Sequence, residues 1–66
     1  MAKHDKAWWA KRLKELRADY DLTQAEAADK ADVALRTWIS WENEHRKPGA
    51  MAERHLRKAF SKENFD

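Results

Sequence analysis

Thr23-Gln24-Ala25-Glu26-Ala27-Ala28-Asp29-Lys30-Ala31-Asp32-Val33-Ala34-Leu35-Arg36-Thr37-Trp38-Ile39-Ser40-Trp41-Glu42-Asn43 is the stretch that decides the fold. It opens on a reciprocal cap. The Thr23 hydroxyl can accept from the Glu26 backbone N–H, and the Glu26 carboxylate can reach back to the N–H of Thr23. A helix therefore starts at Gln24, and the alanines carry it to about Ala31. Asp32-Val33-Ala34 interrupts it, and aspartate tolerates the left-handed backbone of a tight turn better than most residues. From about Leu35 to Asn43 the next helix puts Ala34, Trp38 and Trp41 on one side, with Leu35 and Glu42 at the border. Arg36, Ser40 and Asn43 point the other way, flanked by Ile39.

On the amino side, Asp21-Leu22 links this stretch to a helix expected from Asp5 to Tyr20. Trp9, Leu13, Leu16 and Tyr20 recur there at helical spacing and form one apolar stripe. Trp8 lies about 100° away, beside Arg12, Glu15 and Asp19. It is either a protein contact or a lid on Arg12. On the carboxyl side, Glu44-His45-Arg46-Lys47-Pro48-Gly49 is a basic turn holding the only proline and only glycine of the chain. A last helix, about Ala50 to Phe60, buries Ala52, Leu56 and Ala59 with help from Met51 or Phe60. Residues 61–66 are expected to form a flexible tail apart from Phe65. β-Branched residues are few and no alternation occurs, so strands are not expected. The reading is all-α, four short helices in a single domain spanning 1–66.

The chain has 66 residues and no cysteine. Disulfides, thiolate zinc sites and cysteine nucleophiles are thereby excluded. A domain of this size buries only ~60% of the surface its unfolded chain exposes, which argues against an enzyme with a closed pocket. His4, His45 and His55 lack metal-ligand spacing, so neither metal nor cofactor is expected. No apolar run approaches the ~20 residues of a membrane span, and no signal-peptide pattern opens the chain, so a cytoplasmic protein is expected. Charge is segregated. Residues 1–14 carry five basic and one acidic side chain, 15–35 two and six, and 36–62 seven and three. Two basic ends flank an acidic middle, a distribution that suits a polyanion or simply a solvated surface.

Two short helices joined by a three- or four-residue turn, the second with a polar outer face, form a helix-turn-helix, here at about 23–43. A single helix fits the major groove of B-DNA. By pattern alone, any helical hairpin could show these features. Leu13-Lys14-Glu15-Leu16-Arg17, Leu22-Thr23-Gln24-Ala25-Glu26-Ala27-Ala28, Val33, Trp38, Trp41-Glu42-Asn43 and Arg46-Lys47-Pro48 add a more specific signal, in sequence and in spacing. From Leu13 to about Phe60 the chain resembles the phage repressor and Cro type of helix-turn-helix protein, the XRE family. The resemblance implies a lambda-repressor-like domain.

It also implies roles for individual residues. Gln24 would contact a phosphate and support the reading helix. Leu35, Arg36 and Ser40, with Ile39 beside them, would face base edges. Thr37, Asn43, His45, Arg46 and Lys47 would lie along the DNA backbone. Arg17 and Glu42 would form a buried structural ion pair. Arg36 can donate two parallel bonds to guanine, or touch only phosphate; Leu35 can meet a thymine methyl or join the core. Trp9, Trp38 and Trp41 read as core rather than as platforms for single-stranded bases. Trp8, Phe60 and Phe65 are the expected dimer or partner surface.

The chain departs from the family pattern at several positions. Ala27 and Ala31 stand where larger aliphatic residues are usual, and Trp38 and Trp41 where smaller ones are. That exchange would conserve core volume. Asp32 and Glu44 occupy turn positions usually held by glycine. Ala34 replaces the usual Ser/Thr cap, unless Asp32 caps instead. The expected function is a sequence-specific regulator, bacterial or phage-encoded, acting as a Cro-like repressor. It would bind a palindromic double-stranded operator as a homodimer that can form on DNA. No enzyme activity, membrane association or small-molecule ligand is expected. The alternative is a protein-interaction module on the same scaffold, such as an antitoxin or a phage factor that binds a host protein.

Overall fold

A computed structural model describes residues 4–65. Among them the chain forms four α-helices and no strand: α1 (Lys6–Tyr20), α2 (Gln24–Lys30), α3 (Leu35–Glu42) and α4 (Ala50–Ala59). Each boundary lies within one residue of the sequence expectation, and side-chain caps set the starts of α1 and α2. Asp5 caps α1 by accepting from the Trp8 backbone N–H. Thr23 and Glu26 make both bonds of the reciprocal cap on α2. Ala34 gives α3 no side-chain cap, and Asp32 does not substitute for it. The Asp32 carboxylate instead approaches the His55 ring at 3.9 Å.

The first three helices end in the same way. Asp21, Asp32 and Glu44 have φ of 55°, 59° and 62°, and all three residues are acidic. In each case the next residue's N–H reaches back to close the last turn: Leu22 to Arg17 O, Val33 to Ala28 O, and His45 to Ser40 O. This is the Schellman arrangement, in which the left-handed residue is usually glycine. The single glycine, Gly49, instead precedes α4 with φ −79°, where any residue fits. Aspartate tolerates the left-handed region better than glutamate. Glu44 also sets a carboxylate against the negative end of the α3 dipole. Glu44→Gly is therefore expected to stabilise the protein by about 1 kcal/mol, the left-handed penalty less the greater unfolded freedom of glycine. A thermal melt would show a rise of several degrees. Asp21→Gly serves as the comparison and should gain less.

The helices enclose a core of Trp9, Leu13, Leu16, Ala27, Ala28, Ala31, Trp38, Trp41, Leu56, Phe60 and Phe65. α3 packs on both α1 and α2. The indoles of Trp38 and Trp41, with centroids 6.1 Å apart, share this cluster with the small Ala27 and Ala31. Bulky and small side chains thus trade volume across α2 and α3. Ala34 was expected on the buried side of α3 but is exposed. Phe60, not Met51, completes the buried face of α4; Met51 is 67% exposed.

The ends of the described chain are packed together, and Phe65, set apart from the rest of the expected tail, is part of that packing. Phe65 is buried, its ring stacked near Trp9 at 5.9 Å between centroids. The guanidiniums of Arg12 and Arg57 lie 5.7 and 5.8 Å from its centroid. Arg12 pairs with Glu63 at 3.1 Å, and Tyr20 donates its hydroxyl to the same carboxylate at 3.2 Å. A His4 ring nitrogen lies 2.8 Å from the Phe65 carbonyl oxygen.

Candidate nucleic-acid interface

The orientation of α3 is fixed by its last residue. Glu42 is only 3% exposed, the one buried charged residue among those described. Its carboxylate accepts from Arg17 Nε at 2.6 Å and from Arg17 Nη2 at 2.8 Å, a two-pronged bond. It also accepts from Gln24 Nε2 at 3.2 Å and from the indole N–H of Trp38. One acid thus ties together α1, the first residue of α2, and α3. Burial alone would push its pKa up. The hydrogen bonds from Arg17, Trp38 and Gln24 outweigh that and hold it below the usual carboxylate range. The same bond from Glu42 raises the Arg17 pKa. Among the described residues, no buried side-chain nitrogen or oxygen lacks a partner.

With Trp38, Trp41 and Glu42 held inward, the rest of α3 faces out. Leu35 is 44% exposed, Arg36 is exposed, and Thr37, Ile39 and Ser40 are half-buried. Arg36, Thr37 and Ser40 line one shallow depression together with Arg46 from the following turn. Neither guanidinium makes a hydrogen bond or ion pair with another described residue. The depression therefore offers two planar donor forks and two hydroxyls to a ligand rich in acceptors or negative charge. Asn43, at the end of α3, and His45 are also exposed nearby in the chain.

Other expected site residues are already engaged. Gln24 is half-buried and donates to Glu42, so its amide serves the α1–α2–α3 junction. Lys47 is exposed, but its ammonium donates to the His4 carbonyl at 3.1 Å. The expected partner surface of Trp8, Phe60 and Phe65 is corrected. Phe60 and Phe65 are 0% and 2% exposed and belong to the core. Phe60 stands edge-on to Tyr20, and Phe65 closes over Trp9. Trp8 is half-buried, stacked under His4 and edge-on to Trp9.

The Trp38 bond to Glu42 escaped sequence reading, although their i, i+4 spacing on one helix is a usable signal. The convergence of Arg36 and Arg46 had no such signal. It depends on how the chain turns after α3, where the N–H groups of both His45 and Arg46 return to the Ser40 carbonyl.

Among the described residues, no group of three or more His, Cys, Asp or Glu side chains could hold a metal ion. No helix among them is long and apolar enough to cross a membrane. No protein-family model, curated protein or solved structure matches the chain.

Proposed function

We propose that this chain is a sequence-specific double-stranded DNA-binding protein of the phage repressor and Cro type. α2 and α3 would form its helix-turn-helix, with α3 entering the major groove. The observation that carries this reading is the two-sidedness of α3. One side is locked by Trp38, Trp41 and the bonded Glu42. The other presents Leu35, Arg36, Ile39 and Ser40, with the unpaired Arg46 beside them. In this reading Arg36 and Ser40 address base edges, while Arg46, Asn43, His45 and Thr37 hold phosphates. One helix reads only a few base pairs, so two copies would bind half-sites about one helical turn apart and regulate transcription by occupying an operator.

The test is affinity for duplex DNA as a function of salt. Each phosphate neutralised by an Arg or Lys adds about −0.9 to the log–log slope, so Arg46 from each of two copies predicts a slope of roughly −2. A second reading, binding to a protein, is favoured by one feature. Met51 stands exposed in a groove with Lys30, Arg54, His55 and Lys58 between the end of α2 and α4. DNA affinity that is absent, or indifferent to salt, would favour that reading instead.

A further inference from the structure

We propose that Leu35, supported by Ile39, reads the 5-methyl group of thymine, so that the preferred site places a thymine next to the guanine taken by Arg36. This rests on the DNA-binding reading and deepens it. Leu35 and Met51 are the exposed large hydrophobic residues of the described chain. Leu35 is the one on the outer side of α3. It does not join the core, so on the DNA-binding reading thymine contact is the role open to it. Ala34 before it adds only a methyl group.

Helical geometry sets what it shares a face with. Leu35 and Ile39 are four residues apart and form one apolar strip; Arg36 and Ser40 form a parallel polar strip about 100° further round. The outer side of α3 thus pairs a hydrocarbon line with a donor line. The major-groove edges of the four bases offer one methyl group, that of thymine, and one pair of adjacent acceptors suited to a guanidinium, guanine O6 and N7. A purely apolar protein partner covering Leu35 would also cover Arg36 and Arg46 without satisfying them, which is unfavourable. Duplex DNA satisfies both strips together.

The experiment uses the full chain to select duplexes from a random pool, then remakes the recovered duplex with deoxyuridine in place of each thymine in turn. Uracil lacks only the methyl group. Binding should fall about fourfold at one or two of these positions, the change expected for one buried methyl at ~0.8 kcal/mol. Leu35→Ala should bind the thymine and uracil duplexes equally at one of them. Because Leu35 is exposed, this variant should melt with the parent. If uracil and thymine bind alike at every position while salt and Arg36 dependence persist, the methyl reading is overturned and DNA binding stands. If selection yields no duplex with salt-dependent binding, both readings fall.

Discussion

Glu42→Ala is expected to lose about 3–5 kcal/mol of folding stability, because it breaks a buried ion pair by removing one partner. A 66-residue chain at ~0.05–0.15 kcal/mol per residue has about 3–10 kcal/mol in all, so the variant forfeits a large share of its stability and should melt far below the parent. The effect is large because the carboxylate serves four donors. Its removal strands both prongs of Arg17, the Gln24 amide and the Trp38 indole N–H at the junction of three helices. Glu42→Gln keeps the shape and one carbonyl acceptor, and should fall between. Arg17→Met combined with Glu42→Leu should recover only part of the loss: neither charge is left uncompensated, but the Trp38 indole N–H and the Gln24 amide stay unpaired. Denaturant unfolding of the set measures these differences. A Glu42→Ala protein within about 1 kcal/mol of the parent would show that the junction carries no such weight.

The same carboxylate sets an acid limit. Its folded pKa lies below the ordinary value of 4.5. The unfolded chain therefore takes up the proton first as pH falls. The stabilising contribution is complete above that ordinary value, and is lost as pH drops through the depressed folded one. Glu42→Gln should flatten this acid limb.

What could be read from sequence, and what could not, divides by range. The reciprocal cap at Thr23 and Glu26 acts over three residues, and it placed the start of α2 correctly. The stripe Trp9, Leu13, Leu16 on α1 follows from helical period, and all three are buried. The Arg17–Glu42 pair was available only through resemblance, since nothing local links residues that far apart. The closure of the chain ends was out of reach. His4 with Phe65, Arg12 with Glu63, and Lys47 with His4 join segments more than 40 residues apart. Phe60 and Phe65 therefore looked like spare aromatics near a terminus, the natural guess for a partner surface. They are instead the packing that a domain of this size needs to cover Trp9 and Tyr20. The stacking of His4 on Trp8 was out of reach for the same reason, because His4 belongs to no helix.

Arg36→Ala is expected to weaken binding to the selected duplex by about 1–3 kcal/mol, or roughly five- to 150-fold, and to relax preference at one base pair. Folding should be unaffected, since the side chain is exposed and no described residue bonds to it. The two roles open to this guanidinium make different predictions. A phosphate contact would weaken all sequences alike and reduce the salt slope by about 1. A guanine contact would act at one position and spare nonspecific binding. Arg36→Lys sharpens the distinction, because lysine keeps the charge but loses the planar two-donor fork. It should retain most nonspecific affinity and still lose the base preference. The neighbouring Arg46 provides the contrast. It lies in the same depression but beyond the end of α3, where the proposed geometry places the DNA backbone rather than the bases. Arg46→Ala should therefore lower affinity uniformly. If instead Arg46→Ala relaxed base preference and Arg36→Ala did not, α3 would have to lie differently in the groove, and the pairing of Leu35 with Arg36 as adjacent readers would be lost with it.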